Sequence, residues 1–413
     1  MPTPELVLRR STPECRLSVI LIDWGVRESF HSLRYLNEQT APRDQYELLW
    51  LEFYDRKPAR LCDMVFRDGP DKPLVDQWLV AGYPDDVIFN KHRLYNLGLL
   101  LAQGRYCVVC DSDAIFTPNF VAKVLDAFMQ TPRAVIHVDQ VRNVDPRFHP
   151  FAYPAIEDIL GPGCINWHGG VSSGLAENNP DMIHSANYGA CMAAARTDLI
   201  AIGGADEHID YLGYMCGPYD MTFRLVNHGL AERWLRDEYL YHVWHPNEGG
   251  PADYQGPNDG RGMALRALEA RDSGRVEPAL ENPWIRQARQ GKEPTATELV
   301  RLLAERAEPD WRYEAAPAAD EVAVLVEQYR GFNLFRYRRH WYALRTEDGF
   351  FESDKRKGYR VLYDALHAHG VKRLVDHYHT LPRTFLGRLT AEPIYRLPWR
   401  ALRRVGKEIG RLF

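Results

Sequence analysis

The stretch YCVVCDSDAIFTPNF, residues 106–120, contains a run of apolar residues that ends at two aspartates, Asp111 and Asp113. Residues 106–110 are almost continuously hydrophobic, which predicts a strand buried on both faces. In open α/β sheets, ligands bind at the carboxyl ends of such strands. The two carboxylates are therefore placed to present oxygens to a divalent cation. A simple turn and helix cap before Pro118 is the alternative interpretation of Asp-Ser-Asp.

Strand-like and helix-like segments alternate on both sides of this stretch. Strands are predicted at 16–22, 46–54 and 134–141, and helices at 28–39, 91–104 and 118–130. Further segments at 188–204, 219–229 and 233–246 complete the pattern. Because strands that alternate with helices form right-handed βαβ units, the sequence predicts an α/β fold with a mostly parallel sheet flanked by helices.

The length and composition indicate a soluble globular protein with more than one domain. The chain has 413 residues, of which 45% are hydrophobic and 26% charged, and a single ordinary core is too small for that length. We expect a first domain at 14–250, a glycine-rich loop and linker helix at 251–295, and a mainly helical domain at 296–413 with a hairpin near 331–351. The irregular segment 142–187 is long for a loop in a compact domain, which predicts a functional role for it.

The charge is distributed unevenly along the chain. The formal net charge of −5 argues against general nucleic-acid binding, whereas residues 331–413 contain 18 Lys and Arg against 8 Asp and Glu. The last segment, 394–413, has the composition of a basic amphipathic helix. It is suited to an anionic membrane surface, and docking on the acidic body of the protein is the alternative. No run of about 20 apolar residues is present, so any membrane contact is expected to be peripheral.

The cysteine usage indicates a reducing compartment. The seven cysteines are odd in number and scattered, and the chain opens without a hydrophobic signal core, so we expect a cytoplasmic protein that contacts the inner face of the cell membrane at most peripherally. Cys107 and Cys110 form a CxxC inside the predicted strand. Buried structural thiols are favoured there over a redox or zinc pair.

The order of motifs over roughly residues 16–250 resembles the family 2 glycosyltransferases of the GT-A fold. The family's ARNxGxxxAxG helix is matched at Asn96, Gly98 and Gly104, with Tyr95 in place of the Arg, and it leads into the DxD of Asp111 and Asp113. The later family pattern GxEDxDLxxR is matched in CGPYDMTFR. The histidine that ends the domain in many family members is matched in LYHVWHP. In that later pattern we take Asp220 as the second acid of the Glu-Asp pair, with Tyr219 replacing the first acid and Thr222 the later Asp.

The resemblance implies a metal-dependent glycosyltransferase that uses Mn²⁺ or Mg²⁺ and a nucleotide-sugar donor. Asp113 is the expected metal ligand, and Asp111 faces the ribose or shares the metal through water. His242 or His245 is expected to be the third ligand. The alternative to metal binding is that both histidines are ordinary residues at a strand end beside Trp244.

The same resemblance implies residues that hold the donor. Trp24 is expected to stack on the base and Glu52 to accept from an imide N–H, which favours UDP or dTDP. The alternatives are that Trp24 belongs to the hydrophobic core and that Glu52 is a solvated residue at a strand end. Asn96 is expected at the donor site through the helix motif. Arg261, in the loop DYQGPNDGRGM, is expected to close over phosphates, with a plain interdomain linker as the alternative.

Asp220 is the candidate general base for an acceptor hydroxyl, which makes the reaction inverting. A helix N-cap is its alternative role, and Arg224 is expected to orient Asp220 or to pair with it. Asp206 and Glu207 are expected to hold the acceptor loop. The expected acceptor is a hydroxyl of a glycan or of a lipid-linked saccharide, with no nucleic acid involved.

Two other functions compete with the transferase. A nucleotidyltransferase on a related sheet is one, although the glycine-rich basic loop such enzymes carry after the first strand is missing from DWGVRESF. A non-catalytic glycan-binding protein that keeps the fold is the other. The sequence does not identify the sugar, the linkage or the oligomeric state.

Overall fold

The fold is described by a computed structural model that divides into two compact units, Met1–Glu308 and Pro309–Phe413. The structure describes residues 2–23, 30–69, 72–84, 87, 89–149, 153–172, 191–208, 211, 218–245, 267, 270–271, 273–305, 324–330, 332–337, 340–345, 363–365, 372–373 and 375–376.

The first unit is built on a nine-stranded sheet with the strand order β1-β4-β3-β2-β5-β10-β7-β11-β6. A separate two-stranded sheet consists of β8 and β9. In chain order the strands are β1 (Glu5–Arg9), β2 (Leu17–Asp23), β3 (Tyr46–Tyr54), β4 (Gln77–Tyr83), β5 (Tyr106–Asp111), β6 (Ile115–Phe116), β7 (Ala134–Asn143), β8 (Trp167–His168), β9 (Val171–Ser172), β10 (Cys191–Ala195) and β11 (Ala231–Val243).

The helices of this unit lie between the strands, which confirms the predicted α/β fold. They are α1 (His31–Asn37), α2 (Ala59–Val65), α3 (Lys91–Leu101), α4 (Phe120–Gln130), α5 (Ile156–Ile159), α6 (Arg196–Ala201), α7 (Tyr219–Asn227), α8 (Pro283–Arg289) and α9 (Ala296–Glu305).

The sheet is parallel at its centre and mixed at its edges. Strands β4, β3, β2 and β5 run parallel, as do β7 and β11. Strand β10 runs antiparallel between β5 and β7, and β6 pairs antiparallel with β11. The carboxyl ends of β2, β3, β4 and β5 therefore meet at one edge of the sheet.

The central strands are buried on both faces, as their continuous hydrophobic runs predict. Alternate residues of one strand enter different cores: Ile20 and Ile22 pack in one core cluster with helix α3, whereas Val19 and Leu21 pack in the other with α1 and α4. Because a parallel strand has a helix on each side, no position of β2 is left for a polar surface.

Strands β1 and β4 fall in parts of the chain that the sequence analysis did not assign. Strand β4 has the sequence QWLVAGY and falls between the predicted strand 46–54 and the predicted helix 91–104, after residues rich in Asp, Gly and Pro. Strand β1 is half exposed and pairs antiparallel with β4 at the sheet edge. The flanking Pro and Gly residues obscured β4, while burial against the neighbouring strand β3 stabilises it.

The second unit contains a four-stranded antiparallel sheet among its described residues. Its strands are β12 (Val324–Tyr329), β13 (Phe332–Tyr337), β14 (His340–Arg345) and β15 (Tyr363–Ala365). The predicted hairpin near 331–351 is present as β13 and β14. The described part of this unit thus has more strand than the prediction of a mainly helical domain, and α9 belongs to the first unit.

Cys107 and Cys110 lie in β5 as free, fully buried thiols, as expected for structural residues. Burial raises the pKa of Cys107 to about 12, so the thiolate needed for redox chemistry or zinc binding is not formed near neutral pH. In the part of the chain that the structure describes, none of the helices has the length and hydropathy needed to cross a bilayer.

Gly104 allows the turn between α3 and β5 to pass close to the backbone of β2. A Cβ at this position would lie 2.7 Å from Ser18 N and 2.8 Å from Leu17 C. We expect Gly104→Ala to destabilise the protein by about 1–3 kcal/mol, because backbone atoms cannot move aside as a flexible side chain can. Thermal unfolding measures this, and an unchanged melting temperature would contradict the close approach.

Candidate active site

A buried cluster of one aspartate and two histidines lies at the carboxyl edge of the sheet. Asp113 Oδ2 is 3.0 Å from His242 Nε2 and 3.1 Å from His245 Nε2. All three side chains are buried. The strand register explains the arrangement, because Tyr241 of β11 pairs with Ile115 of β6, which places the residues after Tyr241 opposite those before Ile115.

A third histidine, His31, fixes the backbone of the Asp-Ser-Asp turn. Its Nε2 is 2.6 Å from the carbonyl oxygen of Asp113. Burial lowers the pKa of His31 to about 4, so the ring is neutral at pH 7 and donates its Nε2–H to the carbonyl. His31 was missed in the sequence, since a histidine at the start of a predicted helix carries no signal for a contact 82 residues away.

The donor atoms of this cluster suit a divalent metal ion. One carboxylate oxygen and two imidazole nitrogens lie within 4.8 Å of one another. Burial lowers the pKa of His242, which favours the neutral ring that can offer a lone pair to a metal. The sequence treated His242 and His245 as alternative ligands, whereas the structure brings both to the same oxygen of Asp113.

Asp111 is held apart from this cluster by an ion pair. Lys91 Nζ lies 2.6 Å from Asp111 Oδ1, and the side chain of Asp111 is 28% exposed while that of Lys91 is 4% exposed. Among the described residues, the group that can hold a metal consists of Asp113, His242 and His245, without Asp111. Asp111 is thus not part of the direct ligand group, and its expected role, facing the ribose or sharing the metal through water, stays a prediction.

Glu52 lies beside Asp23 at the ends of the neighbouring parallel strands β3 and β2. Both side chains are buried, with Glu52 Oε1 accepting from the backbone N–H of Tyr54. Burial, followed by the nearby charge of Asp23, raises the pKa of Glu52 well above its usual range. Glu52 is thus not the solvated strand end of the alternative interpretation, and Asp23 joins it as a second carboxyl group of the predicted base-binding position.

The raised pKa of Glu52 predicts a pH-dependent loss of stability that Glu52→Gln should remove. The unfolded chain releases the Glu52 proton near pH 4.3, whereas the folded protein retains it to higher pH, so stability falls as pH rises between these two values. The difference in unfolding free energy between the variant and the wild type should therefore grow in favour of the variant from about pH 4 to pH 8. Urea unfolding at several pH values measures this, and parallel pH profiles would exclude a raised pKa.

Asn96 has its hydrogen bonds inside the protein rather than toward a ligand. Its Oδ1 accepts from Ala205 N, and its Nδ2 donates to Ala205 O and to Glu207 Oε1. The cofactor contact expected for Asn96 is corrected accordingly: the side chain attaches helix α3 to the segment 203–207. Asp206 and Glu207 attach the same segment to residues 279, 280 and 282, and their role in holding an acceptor loop stays a prediction.

Asp220 is fully buried and paired with arginine side chains. Arg224 Nε donates to Asp220 Oδ2 at 2.7 Å, and Arg275 Nη2 lies 3.9 Å from Oδ1. Arg224 also donates to the carbonyl oxygens of Ile202 and Gly204. These contacts confirm that Arg224 pairs with Asp220 and assign the pair to joining α7 to the segment after α6. The general-base role of Asp220 stays a prediction, and its burial argues against it.

The ion pair also corrects how the chain was matched to the pattern GxEDxDLxxR. In that pattern the later Asp and the Arg are four residues apart, as are Asp220 and Arg224. Asp220 therefore corresponds to the later Asp, and Gly217 and Pro218 stand where the pattern has Glu and Asp. The match in the sequence analysis shifted the motif by two residues, because it aligned the acids and did not use the spacing between Asp220 and Arg224.

Asp220→Asn separates the two roles of Asp220. If the carboxylate is the counter-charge of Arg224, the variant leaves a buried guanidinium without an anion and should lose about 3–5 kcal/mol of stability. If Asp220 is only a general base, the variant should unfold like the wild type and lose activity alone. Thermal unfolding with Asp237→Asn as an exposed control distinguishes them, since Asp237 lies at the surface.

Several predicted residues lie outside the described part of the chain. Trp24, Arg261 and the terminal segment 394–413 are among them, as are parts of the long segment 142–187. Base stacking, closure of the glycine-rich loop and membrane contact stay predictions.

Residues 89–174 match the family model described as glycosyl transferase family 2. A search of curated proteins gave no match. Among solved structures, residues 1–349 of S. aureus TarS with UDP-GlcNAc are 12% identical with a TM-score of 0.43, covering 67% of this chain and 71% of TarS 1–349. A further S. aureus TarS structure is 13% identical with a TM-score of 0.41, covering 67% of this chain and 43% of that one. Similarity to these structures is too low to carry an argument about activity.

Proposed function

We propose that this chain is a family 2 glycosyltransferase, which the match of residues 89–174 to that family model supports, and that it moves a sugar from a UDP or dTDP donor to a hydroxyl of a glycan acceptor in a metal-dependent, inverting reaction. The observation that carries the proposal is the convergence of His242 and His245 on one oxygen of Asp113. It gives the donor diphosphate a place for a divalent cation immediately after the matched strand β5.

The three side chains fit Mn²⁺ better than Mg²⁺. Two imidazoles and a carboxylate suit the middle of the first transition series, whereas Mg²⁺ prefers oxygen ligands and retains its water. When bound, such an ion neutralises the negative charge that develops on the leaving diphosphate. The task of the protein is to hold the ligands: the turn after β5 supplies Asp113, the end of β11 and the residues after it supply His242 and His245, and His31 fixes the carbonyl of Asp113.

The base of the donor is assigned to the carboxyl groups of Asp23 and Glu52. They end two adjacent parallel strands next to β5, so the nucleoside would lie along the same edge as the metal ligands. The raised pKa of Glu52 favours one proton on the pair, leaving one acceptor and one O–H donor. That combination is complementary to the imide N–H and the neighbouring carbonyl of uracil or thymine.

The partly exposed carboxylate of Asp111 is suited to accept a hydrogen bond from the ribose of the donor. Its Oδ1 is held by Lys91, and the partial exposure of its side chain leaves the carboxylate accessible to a hydroxyl donor. The order along the edge, with Asp23 and Glu52, then Asp111, then Asp113, follows the order of base, ribose and diphosphate in a nucleotide sugar.

A thermal-shift series tests this function. UDP-sugars, dTDP-sugars and GDP-sugars are added with Mn²⁺, with Mg²⁺ and with chelator to the wild type, Asp113→Asn and His242→Ala. We expect a uracil or thymine donor to stabilise the wild type by about 2.7 kcal/mol at 100 times its Kd, with Mn²⁺ only. The rise should disappear in both variants.

His168→Ala is the matched control, because His168 is exposed and remote in sequence from the cluster. Its response should equal that of the wild type. Absence of any nucleotide response in the wild type would reject the proposal, and a response that survives in Asp113→Asn would reject the metal site. Release of UDP on addition of a glycan acceptor then separates transfer from binding alone.

A further inference from the structure

The first turn of helix α3 carries three consecutive basic residues, Lys91, His92 and Arg93, and no acidic residue. The amino terminus of a helix is its positive end, so cations there are unfavourable unless anions compensate them. All three side chains are buried. A cation that is retained at this turn therefore needs a compensating partner.

Two of these residues are compensated inside the protein. Arg93 Nε lies 3.7 Å from Glu207 Oε2, with both side chains about 1% exposed, and His92 Nδ1 is 2.6 Å from the carbonyl oxygen of Asp206. Lys91 differs, because its partner Asp111 is partly exposed and lies two residues before the metal ligand Asp113. The charge of Lys91 is thus held at the edge of the sheet where the donor is proposed to bind.

The residue that caps this helix has a buried donor group without a partner. Asn90 Oδ1 accepts from Arg93 N at 3.1 Å, so the side-chain oxygen is used by the helix and the Nδ2 donor is not. Asn90 is 1% exposed, and its Nδ2 has no hydrogen-bond partner. An unsatisfied buried N–H is rare in folded proteins and calls for an explanation, such as a bound acceptor.

We propose that Asn90 Nδ2 and Lys91 Nζ form a phosphate-binding position of the protein itself, which holds the donor's diphosphate beside the metal on Asp113. The inference rests on the proposed function, since it names the part of the donor that this turn contacts. The helix terminus, the amide and the ammonium group all favour an anion, and the metal ligands nearby select a diphosphate over an isolated carboxylate.

The phosphate-binding position at Asn90 and Lys91 compensates for the arginine that is missing from the helix motif. Tyr95 stands where the family pattern has Arg, one helical turn after Lys91 on the same face. Lys91 supplies the positive charge instead, closer to the end of β5. As the bond between the sugar and the diphosphate breaks, the leaving oxygen gains charge that Lys91 and the Asn90 amide are placed to stabilise.

Asn90→Asp is the decisive variant. Aspartate keeps the capping oxygen for Arg93 N and suits the positive helix end, so the folded protein should be as stable as the wild type or more stable. At the same time it replaces the N–H donor with a negative charge that repels phosphate. Weaker anion binding with unchanged or raised melting temperature is therefore not explained by unfolding.

Affinities for UDP and for inorganic pyrophosphate are measured by calorimetry, with Mn²⁺ and with chelator. We expect Asn90→Asp and Lys91→Met each to weaken both ligands by about tenfold or more, and Lys91→Arg to recover most of the affinity. Asn119→Asp is the control, an exposed asparagine before helix α4 that receives the same change of charge. It should bind like the wild type.

The outcomes separate this inference from the proposed function. If UDP binds the wild type, Asn90→Asp and Lys91→Met equally, the phosphate position is rejected while the transferase stands. If pyrophosphate binding depends on Asn90 and Lys91 but no sugar nucleotide binds, the phosphate position stands and the transferase falls. If the wild type binds neither ligand, both are rejected.

Discussion

The carboxyl edge of the sheet depends on contacts to one buried residue, Asp113, and above all to its carboxylate oxygen Oδ2. Two histidine nitrogens from the end of β11 converge on it, and a third histidine from α1 fixes the carbonyl of the same residue. Three separate parts of the chain are thereby joined at the turn after β5. Burying an anion is costly unless its partners are close, so each of these side chains must be positioned by the fold around it.

Helix α3 provides the second support of this edge. Its first turn directs Lys91 to Asp111, and its middle carries Asn96, which binds the segment 203–207. The same segment receives Arg224 from α7, and Arg224 is neutralised by Asp220. The polar residues behind the sheet edge are thus used mainly to hold the segments that follow α6, while Asp111 and Asp113 after β5 contact Lys91, His242 and His245. This division explains why residues with the same motif letters have different roles.

The central strands and their helices could be predicted from the sequence because burial on both faces leaves a continuous apolar run. Strand β3 was predicted with the bounds that the structure shows, Tyr46–Tyr54. Strand β4 was missed, since its run QWLVAGY is short and follows Pro and Gly residues, and its stability comes from pairing with β3 and β1. Asp113, His242 and His245 were all selected from the sequence, whereas His31, Asp23, Asn90 and Lys91 were not. Those four became candidates only through contacts, register and burial in the folded chain.

The sequence by itself determined the fold class, the strand that carries the two aspartates, and the residue types available for a metal. Local periodicity and motif spacing contain that information because they depend on neighbours in the chain. Only the tertiary structure decided that both histidines reach the same oxygen, that Lys91 pairs with Asp111, and that Asp220 neutralises Arg224. The first two of these contacts join residues that are far apart in sequence. All three are fixed by the strand register and by the requirement to compensate buried charge.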